Sequence, residues 1–179
     1  MLITSYLPFS FFRLDRSWQL SSAQIGTWLA QIASALQYVH EMRVLHRDLA
    51  PKNVLLTIDK QCKVSDFGLS FQMTQSNCGL AKSMVGTPYY MAPEVLAAIE
   101  GLADGQTTTI DFSKNDVFAL GLIAYSMCCA DPDAAPWEGD PKGRTRESMR
   151  RLEPDHASPA LRRLIEDDLL ATSFSDRMD

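Results

Sequence analysis

The first regular hydrophobic pattern in the chain begins after a helix-capping signature, Ser21-x-x-Gln24. Apolar residues follow at the three- and four-residue spacing of one helix face: Ile25, Trp28, Leu29, Ile32, Leu36 and Val39. The pattern predicts one long amphipathic helix that ends near Met42.

Short apolar runs and a polar stretch follow this helix. Val54–Leu56 and Cys62–Val64 are separated by Asp59 and Lys60, which predicts a small β-hairpin. Residues 71–85 are polar and contain Gly, Asn, Ser and Thr. This part of the chain is therefore expected to hold one hairpin and one long loop.

Two more helices are predicted in the second half of the chain. The uncharged apolar run at 117–130 is shorter than the ~20 residues that span a bilayer, so it predicts a buried helix. Asn115 or Asp116 is the expected cap of that helix. Ser158 and Pro159 provide a cap and a first-turn proline for a further amphipathic helix. The predicted fold class is mainly α with a small β-hairpin.

Composition and charge narrow the class of protein. Of the 179 residues, 46% are hydrophobic and 22% are charged, which is typical of a globular domain. The formal net charge of −5 argues against a surface that attracts nucleic acid or anionic lipid. A reduced, cytoplasmic protein is expected, because the four cysteines form no C-x-x-C pair and the N-terminus is a poor signal peptide. One basic cluster is interpreted as a solvated loop and helix start: Lys142, Arg144, Arg146, Arg150 and Arg151.

The residues that carry chemistry lie between the first helix and the buried one. His46-Arg47-Asp48-Leu49-Ala50-Pro51-Lys52-Asn53 matches H-R-D-L-x-x-x-N, Asp66-Phe67-Gly68 follows it, and Ala92-Pro93-Glu94 closes the long loop. Each motif alone is weak, but the three in this order match the C-terminal part of the protein-kinase signature set. The sequence therefore resembles the eukaryotic protein kinase family, from about Ser21 to Arg177.

Further segments refine this resemblance. Residues 86–94 are similar to the substrate-docking loop of serine/threonine kinases, and residues 82–85 are similar to the NIMA-related branch. Residues 116–121 resemble the start of the family's central buried helix. The resemblance implies a serine/threonine kinase that transfers the γ-phosphate of ATP to a protein substrate.

The resemblance also implies roles for particular residues. Asp48 is expected to accept or orient the proton of the substrate hydroxyl. Asn53 and Asp66 offer the hard oxygen ligands that Mg²⁺ prefers, and Asn53, Leu55 and Asp66 are expected to bind the nucleotide. ATP and Mg²⁺ are therefore the expected cofactors.

Residue 50 departs from the serine/threonine pattern. Such kinases usually have lysine there to meet the transferred phosphate, whereas this chain has Ala50. Tyrosine kinases commonly combine that alanine with a basic residue just before the asparagine, where this chain has Lys52. Lys52 is therefore either a catalytic residue that takes over the contact with phosphate or a surface lysine.

Four residues are candidates for regulation. Arg47 offers a bidentate partner for a phosphate, and Lys63 is expected to join it from the hairpin. Ser83 resembles the activating site of NIMA-related kinases, so it is either the acceptor that an activating kinase modifies or an ordinary loop serine. Thr87 is expected to form a hydrogen bond near Asp48 rather than to receive phosphate.

Other residues are expected to be structural. His46 and Phe67 should pack behind the site, against the helix that Asp116 begins. Glu94 and Arg177 should form a buried ion pair that joins the long loop to the last helix.

The sequence also indicates a limit on what the chain contains. It has no G-x-G-x-x-G, and the 45 residues before His46 offer no place for a glycine-rich loop and a strand lysine. Residues 21–179 are therefore predicted to be the C-terminal lobe of a kinase domain, and residues 1–20 a hinge tail with a short helix from Pro8. Residues 97–110 are interpreted as a surface insertion. The chain is then either a kinase fragment that is inactive alone or a non-catalytic remnant that acts as a binding or scaffold module.

Overall fold

The computed structural model describes residues 9–10, 20–74, 80–81, 85–103, 110–129, 134–139, 141–145, 148–153, 155, 157–173 and 175–177. Within them lie four α-helices: α1 (Ser22–Glu41), α2 (Pro93–Ala103), α3 (Asn115–Cys128) and α4 (Pro159–Arg163). A π-helical segment, Leu164–Leu169, continues α4, and short 3₁₀ turns cover Pro51–Asn53, Pro88–Tyr90 and Pro141–Gly143.

The strands are two or three residues long: β1 (Phe9–Ser10), β2 (Val44–Leu45), β3 (Val54–Leu56), β4 (Cys62–Val64), β5 (Phe71–Gln72), β6 (Leu80–Ala81) and β7 (Ile110–Asp111). They form three small antiparallel sheets with the orders β1-β3-β4, β2-β5 and β6-β7. The mainly helical content with a β3–β4 hairpin agrees with the predicted fold class.

Helix α1 confirms the first prediction. Ser21 has extended backbone geometry and its Oγ accepts a hydrogen bond from the Gln24 N–H at 3.2 Å, which satisfies one of the free donors at the helix start. The predicted stripe faces the core and includes Trp28, whose ring is fully buried. Because the indole Nε1 donates to the Lys60 carbonyl at 2.7 Å, this ring also fixes the turn of the β3–β4 hairpin.

Helix α3 lies at the centre of the fold. All 14 of its residues are buried, and it packs against α1 on one side and the π-helical segment on another. Gly121 permits the second contact: a Cβ there would lie 2.8 Å from Leu170 Cδ2 and 2.9 Å from Leu169 Cβ. A side chain at position 121 would therefore push the two elements apart.

The predicted cap of α3 is wrong. The N-cap residue is Lys114, and it makes no side-chain cap hydrogen bond. Asn115 and Asp116 lie inside the first turn, and their side chains bond to other segments: Asn115 Oδ1 accepts from the Ala92 N–H at 3.0 Å, and Asp116 accepts from the loop after β2. The side-chain oxygens that were expected to cap the helix accept tertiary hydrogen bonds instead.

Three other expectations need correction. Phe9–Ser10 form a strand beside β3, because the backbone at Leu55 and Leu56 offers them a pairing edge. The other residues of the short helix expected from Pro8 lie outside the described residues. The loop at 71–85 contains the paired residues of β5 and β6. The segment at 97–110 is not all surface, since it holds the end of α2 and the fully buried Ile110.

The basic cluster at 142–151 is also different from the prediction. Arg144 is buried, whereas Arg150 pairs with Glu138 and Arg151 pairs with Glu166 and Asp167. Acidic residues distant in the sequence therefore neutralise part of the cluster, and the solvated-loop interpretation is wrong for Arg144. The side chains of Lys142 and Arg146 lie outside the described residues.

Candidate active site

The loop that follows β2 is held by one carboxylate of α3. Asp116 is fully buried, and its two oxygens accept hydrogen bonds from the backbone N–H groups of His46 at 2.8 Å and Arg47 at 2.9 Å. His40 Nε2 lies 2.9 Å from Asp116 Oδ2. Arg47 has a positive φ of 65°, which a non-glycine residue adopts rarely and which these bonds stabilise. The fold of the core therefore fixes the backbone just before Asp48.

Asp48 lies in a polar cluster with two residues named from the sequence. Thr87 Oγ1 donates a hydrogen bond to Asp48 Oδ1 at 2.6 Å. Lys52 Nζ lies 3.0 Å from Asp48 Oδ2 and 3.3 Å from Thr87 Oγ1. Burial favours the neutral acid, but the Thr87 hydrogen bond and the Lys52 ammonium outweigh it and hold the pKa of Asp48 below its ordinary value. Asp48 is therefore an ionised acceptor near neutral pH.

Asn53 joins this carboxylate to the next motif. Its Nδ2 donates to the Asp48 carbonyl oxygen at 2.8 Å and to Asp48 Oδ2 at 3.3 Å. Its own carbonyl oxygen accepts from the Ser65 N–H at 2.9 Å and from Ser65 Oγ at 3.0 Å. Because Nδ2 makes these bonds, Asn53 Oδ1 is the side-chain atom that can bind a metal ion. Asp66 follows directly after Ser65 in the chain.

Asp66 is exposed and has a positive φ of 62°. Its Oδ1 accepts from the Gly68 N–H at 3.3 Å, and a Cβ at position 68 would lie 3.1 Å from that oxygen, so glycine keeps the approach open. In the described ranges, no three His, Cys, Asp or Glu side chains group closely enough to hold a metal. The Asp66 carboxylate and the Asn53 amide oxygen are hard oxygen ligands that fit Mg²⁺, which commonly binds few protein ligands and completes its shell with phosphates and water.

Leu55 lies on the outer face of the hairpin. It is half-buried between two buried neighbours, and its register partners are Ser10 on β1 and Lys63 on β4. The strand period places its side chain on the face opposite Val54 and Leu56, away from the core.

His46 and Phe67 contact each other, with ring centroids 4.8 Å apart. The Asp48 N–H donates to His46 Nδ1 at 3.3 Å, so Nε2 carries the proton and donates to the Ser65 carbonyl at 3.0 Å. The histidine is fully buried, while Phe67 is 39% exposed. His46 therefore connects two backbone segments, and the geometry does not direct it at a substrate.

Arg47 is enclosed by aromatic rings. Its Nε donates to the Leu69 carbonyl at 2.8 Å, and its guanidinium carbon lies 5.1 Å from the Phe71 ring centroid and 5.4 Å from that of Phe112. Burial lowers the pKa of Arg47, although the Asp116 charge opposes that shift. Lys63 lies in a groove between β4 and α1, with Thr27 and Gln31, and its expected contact with Arg47 stays a prediction. Ser83 lies outside the described residues.

Glu94 and Arg177 form an ion pair across 83 positions of sequence. Arg177 Nη1 lies 2.5 Å from Glu94 Oε1, and Nη2 lies 3.0 Å from Oε2, which is a bidentate arrangement. Arg177 is fully buried, and its Nε and Nη2 also donate to the Ala171 carbonyl. The pair joins the first turn of α2 to the C-terminal segment.

Sequence reasoning missed three residues at the site. Ser65 bridges His46 and Asn53, His40 contacts Asp116, and Arg144 bonds to the segment at 86–94. Ser65 could have been suspected from its position before Asp66. Neither His40 nor Arg144 carries a local signal, because each acts through a partner more than 50 positions away.

The fold and this arrangement are consistent with a protein kinase domain. The family model for the protein kinase domain matches residues 1–178, and the chain belongs to that family. Because the match covers almost the whole chain, the three sequence motifs and the geometry around Asp48 have one common explanation.

Its relatives are serine/threonine kinases. The chain is 39% identical over 108 residues to serine/threonine-protein kinase Nek11 of Mus musculus, a match that covers 60% of this chain and 15% of that protein. It is 39% identical over 108 residues to Nek4 of Mus musculus, covering 60% of this chain and 12% of that protein. It is also 39% identical over 119 residues to serine/threonine-protein kinase 10 of Danio rerio, covering 66% of this chain and 11% of that protein. The chain thus spans less than a fifth of these relatives, and the Nek matches agree with the NIMA-related resemblance. Across the described ranges, no helix has the length and apolarity to cross a membrane.

Proposed function

We propose that this chain carries the catalytic loop and the substrate-docking segment of a serine/threonine protein kinase. The observation that supports it most directly is the cluster of Asp48, Lys52 and Thr87, in which an ionised carboxylate lies within 3.0 Å of an ammonium and 2.6 Å of a hydroxyl. Phosphoryl transfer requires positioning and charge neutralisation more than covalent chemistry, and this cluster is suited to both.

Asp48 is proposed to orient the substrate hydroxyl. Its backbone is fixed by Asp116 through the neighbouring residues, and its carboxylate is held by Thr87 and Lys52. A carboxylate with a lowered pKa stays ionised near neutral pH and can accept the hydroxyl proton as the phosphate is transferred.

Lys52 is proposed to take the contact with the transferred phosphate that Ala50 cannot make. The Ala50 side chain is buried, whereas Lys52 is the exposed residue of the loop and its Nζ lies at Asp48. A cation there can approach an incoming phosphate without losing its place beside the carboxylate. In an active kinase, Lys52→Ala should lower kcat by about tenfold or more, and Lys52→Arg should retain most of it. Full activity in Lys52→Ala would leave Lys52 as a surface lysine.

Asn53 and Asp66 are proposed to hold Mg²⁺, and Leu55 to contact the nucleotide from the hairpin. When bound, magnesium nucleotide would supply the phosphoryl group and neutralise its charge. The chain's own contribution is to hold the Asn53 amide through Asp48 and to place the Asp66 carboxylate one residue after Ser65.

A serine/threonine protein substrate is proposed from the docking segment and the relatives. Residues 86–94 have the form expected of serine/threonine kinases, and the relatives carry that activity in their names. The tyrosine-kinase-like pair of Ala50 and Lys52 does not extend to this segment.

The region is proposed to be the C-terminal lobe, covering residues 21–179. The four helices and small sheets found among its described residues support this assignment, as does the lack of a G-x-G-x-x-G in the sequence. Little or no phosphoryl transfer is then expected from the 179 residues alone, because a glycine-rich loop and a strand lysine are needed to clamp the nucleotide.

The test is a hybrid protein in which this chain replaces the matching segment of mouse Nek11. The hybrid should transfer ³²P from ATP to a generic serine/threonine substrate in the presence of Mg²⁺, and Asp48→Asn should abolish the transfer. Asp59→Asn changes an exposed hairpin carboxylate in the same way and should be neutral. A folded hybrid that binds ATP and transfers no phosphate would contradict the kinase proposal.

That negative result would favour the second candidate, a non-catalytic module that binds or scaffolds other proteins. The exposed Phe67 and Leu69 give this alternative its specific observation, because they present apolar surface next to the site. The second candidate then expects Asp66→Asn to leave the Mg²⁺-dependent ATP binding of the hybrid unchanged in calorimetry, whereas the kinase proposal expects this change to weaken it.

Ser83 is retained as the proposed site of activating phosphorylation. The proposal draws on the resemblance of residues 82–85 to NIMA-related kinases and on Arg47, which carries a guanidinium able to bind a phosphate in a bidentate manner. Ser83→Ala in the hybrid should lower activity, whereas unchanged activity would make Ser83 an ordinary loop serine.

A further inference from the structure

One arginine lies beneath the proposed docking segment, away from the catalytic cluster. Arg144 is 6% exposed. Its Nη1 donates to the Met91 carbonyl at 3.0 Å, and its Nη2 donates to the Tyr89 carbonyl at 2.5 Å. One rigid guanidinium therefore holds two carbonyl groups of a segment that lies more than 50 positions earlier in the sequence.

Aromatic rings surround the same guanidinium. Its central carbon lies 5.5 Å from the ring centroid of Tyr89, 5.7 Å from that of Phe118 and 5.6 Å from that of Trp137. The Trp137 ring stacks on Phe118, and its Nε1 donates to the carbonyl of Thr145, the residue after Arg144. The rings of Phe118 and Trp137 thus hold the guanidinium in place, and the guanidinium in turn holds the docking segment through its hydrogen bonds.

The charge of Arg144 is not neutralised in the usual way. Within the described part of the chain, no carboxylate bonds to it, and its buried Nε has no hydrogen-bond partner. Burial lowers its pKa to about 10, so it is still charged near neutral pH. A buried cation without a carboxylate is costly, and its compensation here comes from two carbonyl dipoles and three ring faces.

We propose that Arg144 is a positioning residue for the protein substrate, because it fixes the Tyr89 and Met91 carbonyl groups and with them the shape of the docking segment. The proposal rests on the proposed kinase function, which makes residues 86–94 a docking segment. Thr87 belongs to both the docking segment and the Asp48 cluster, but the loop that carries Asp48 is held through Asp116 and Asn53. The loss of Arg144 should therefore raise the KM for protein substrate more than it lowers kcat.

The first experiment measures amide hydrogen exchange in the unmodified chain, Arg144→Met and Arg144→Lys. The Tyr90 and Met91 N–H groups donate to the Thr87 and Pro88 carbonyls and report on the docking segment. They should exchange about tenfold faster in Arg144→Met and less so in Arg144→Lys, which keeps a cation able to reach one carbonyl. Amides of α1 should be unchanged if the variants fold.

Arg150→Met is the matched control. It removes an arginine from the same segment whose side chain is 61% exposed and pairs with Glu138. Exchange at Tyr90 and Met91 should be the same as in the unmodified chain. A folded Arg144→Met with unchanged exchange would overturn the proposal, and Arg144→Lys decides by the same criterion if the methionine variant does not fold.

The second experiment uses the Nek11 hybrid. Arg144→Met should raise the KM for a peptide substrate about tenfold while kcat changes by less than about twofold. An unchanged KM would contradict a positioning role, and so would a roughly tenfold fall in kcat with no change in KM. An inactive parent hybrid would contradict the kinase function instead, and the exchange experiment would still decide whether Arg144 holds the docking segment.

Discussion

The two halves of the site differ in how the chain holds them. In the loop at 46–53, every residue except Lys52 is buried, and its backbone is tied to α3 through Asp116. In the segment at 66–69, every residue is exposed, although it touches the loop through the His46 and Phe67 rings. The geometry around the proposed proton acceptor is therefore built into the core, whereas the proposed metal ligand lies on a surface that presents apolar side chains to solvent.

The largest expected effect is at the anchor of the buried half. Asp116→Ala removes the acceptor of two buried backbone N–H groups, and each unsatisfied group costs about 1–3 kcal/mol. The free energy of unfolding, measured by urea denaturation, should fall by about 3–5 kcal/mol. Asp59→Ala on the exposed hairpin turn is the control, and a loss as small as that of the control would show that the loop is not held through Asp116.

The ion pair at the start of α2 should come next. Glu94→Gln leaves the buried Arg177 without its carboxylate, so unfolding should become easier by about 2–4 kcal/mol, less than for a fully buried pair because Glu94 is partly exposed. Arg177→Met combined with Glu94→Gln should cost less than the sum of the two single changes. Additive losses would mean that the two side chains act independently.

A smaller effect should appear in the pH dependence of stability. Because the pKa of Asp48 is lower in the folded chain than its ordinary value, the contribution of its ionised form is present above that value. It should be lost as the pH falls below about 4 towards the folded pKa. Urea denaturation at pH 6 and pH 3 should show a smaller acid loss in Asp48→Asn than in the unmodified chain. Equal acid losses in the two proteins would assign the effect to other carboxylates.

The smallest effect is expected in the exposed half. Phe67→Ala removes a ring that is 39% exposed and contacts His46 on one side, so the free energy of unfolding should change by less than about 1.5 kcal/mol. A loss as large as that of Asp116→Ala would remove the distinction between the two halves. Phe71→Leu, on β5 beside Arg47, provides a comparison with a half-buried ring.

The sequence patterns predicted the helices and strands whose positions are determined by neighbouring residues. Helix α1 follows from its cap and stripe, the β3–β4 hairpin from two short apolar runs, and α4 from Ser158 and Pro159. The motif spacing placed Asp48, Asn53 and Asp66 near one another because the hairpin brings Ser65 back to Asn53.

Features that depend on distant partners could not be predicted in this way. Asn115 and Asp116 have the residue types of a helix cap, yet their acceptors serve Ala92 and the loop after β2. Arg144 belongs to a run of basic residues that is indistinguishable from a solvated surface until Tyr89 and Met91 are placed above it. In both cases the side chain bonds to a partner that is distant in the sequence, so the neighbouring residues do not indicate its role.

The Asp116 anchor has a consequence for the time course of folding. Its two hydrogen bonds to the loop at 46–53 span 70 and 69 positions of sequence, and the ion pair of Glu94 with Arg177 spans 83. Contacts of such separation form late, because the entropy of closing the loop is lost before the contact stabilises anything. During synthesis at roughly 5–20 residues per second, the loop at 46–53 emerges several seconds before Asp116, which orients it. A nascent chain therefore carries the three motifs for that interval without the geometry on which the proposed chemistry depends.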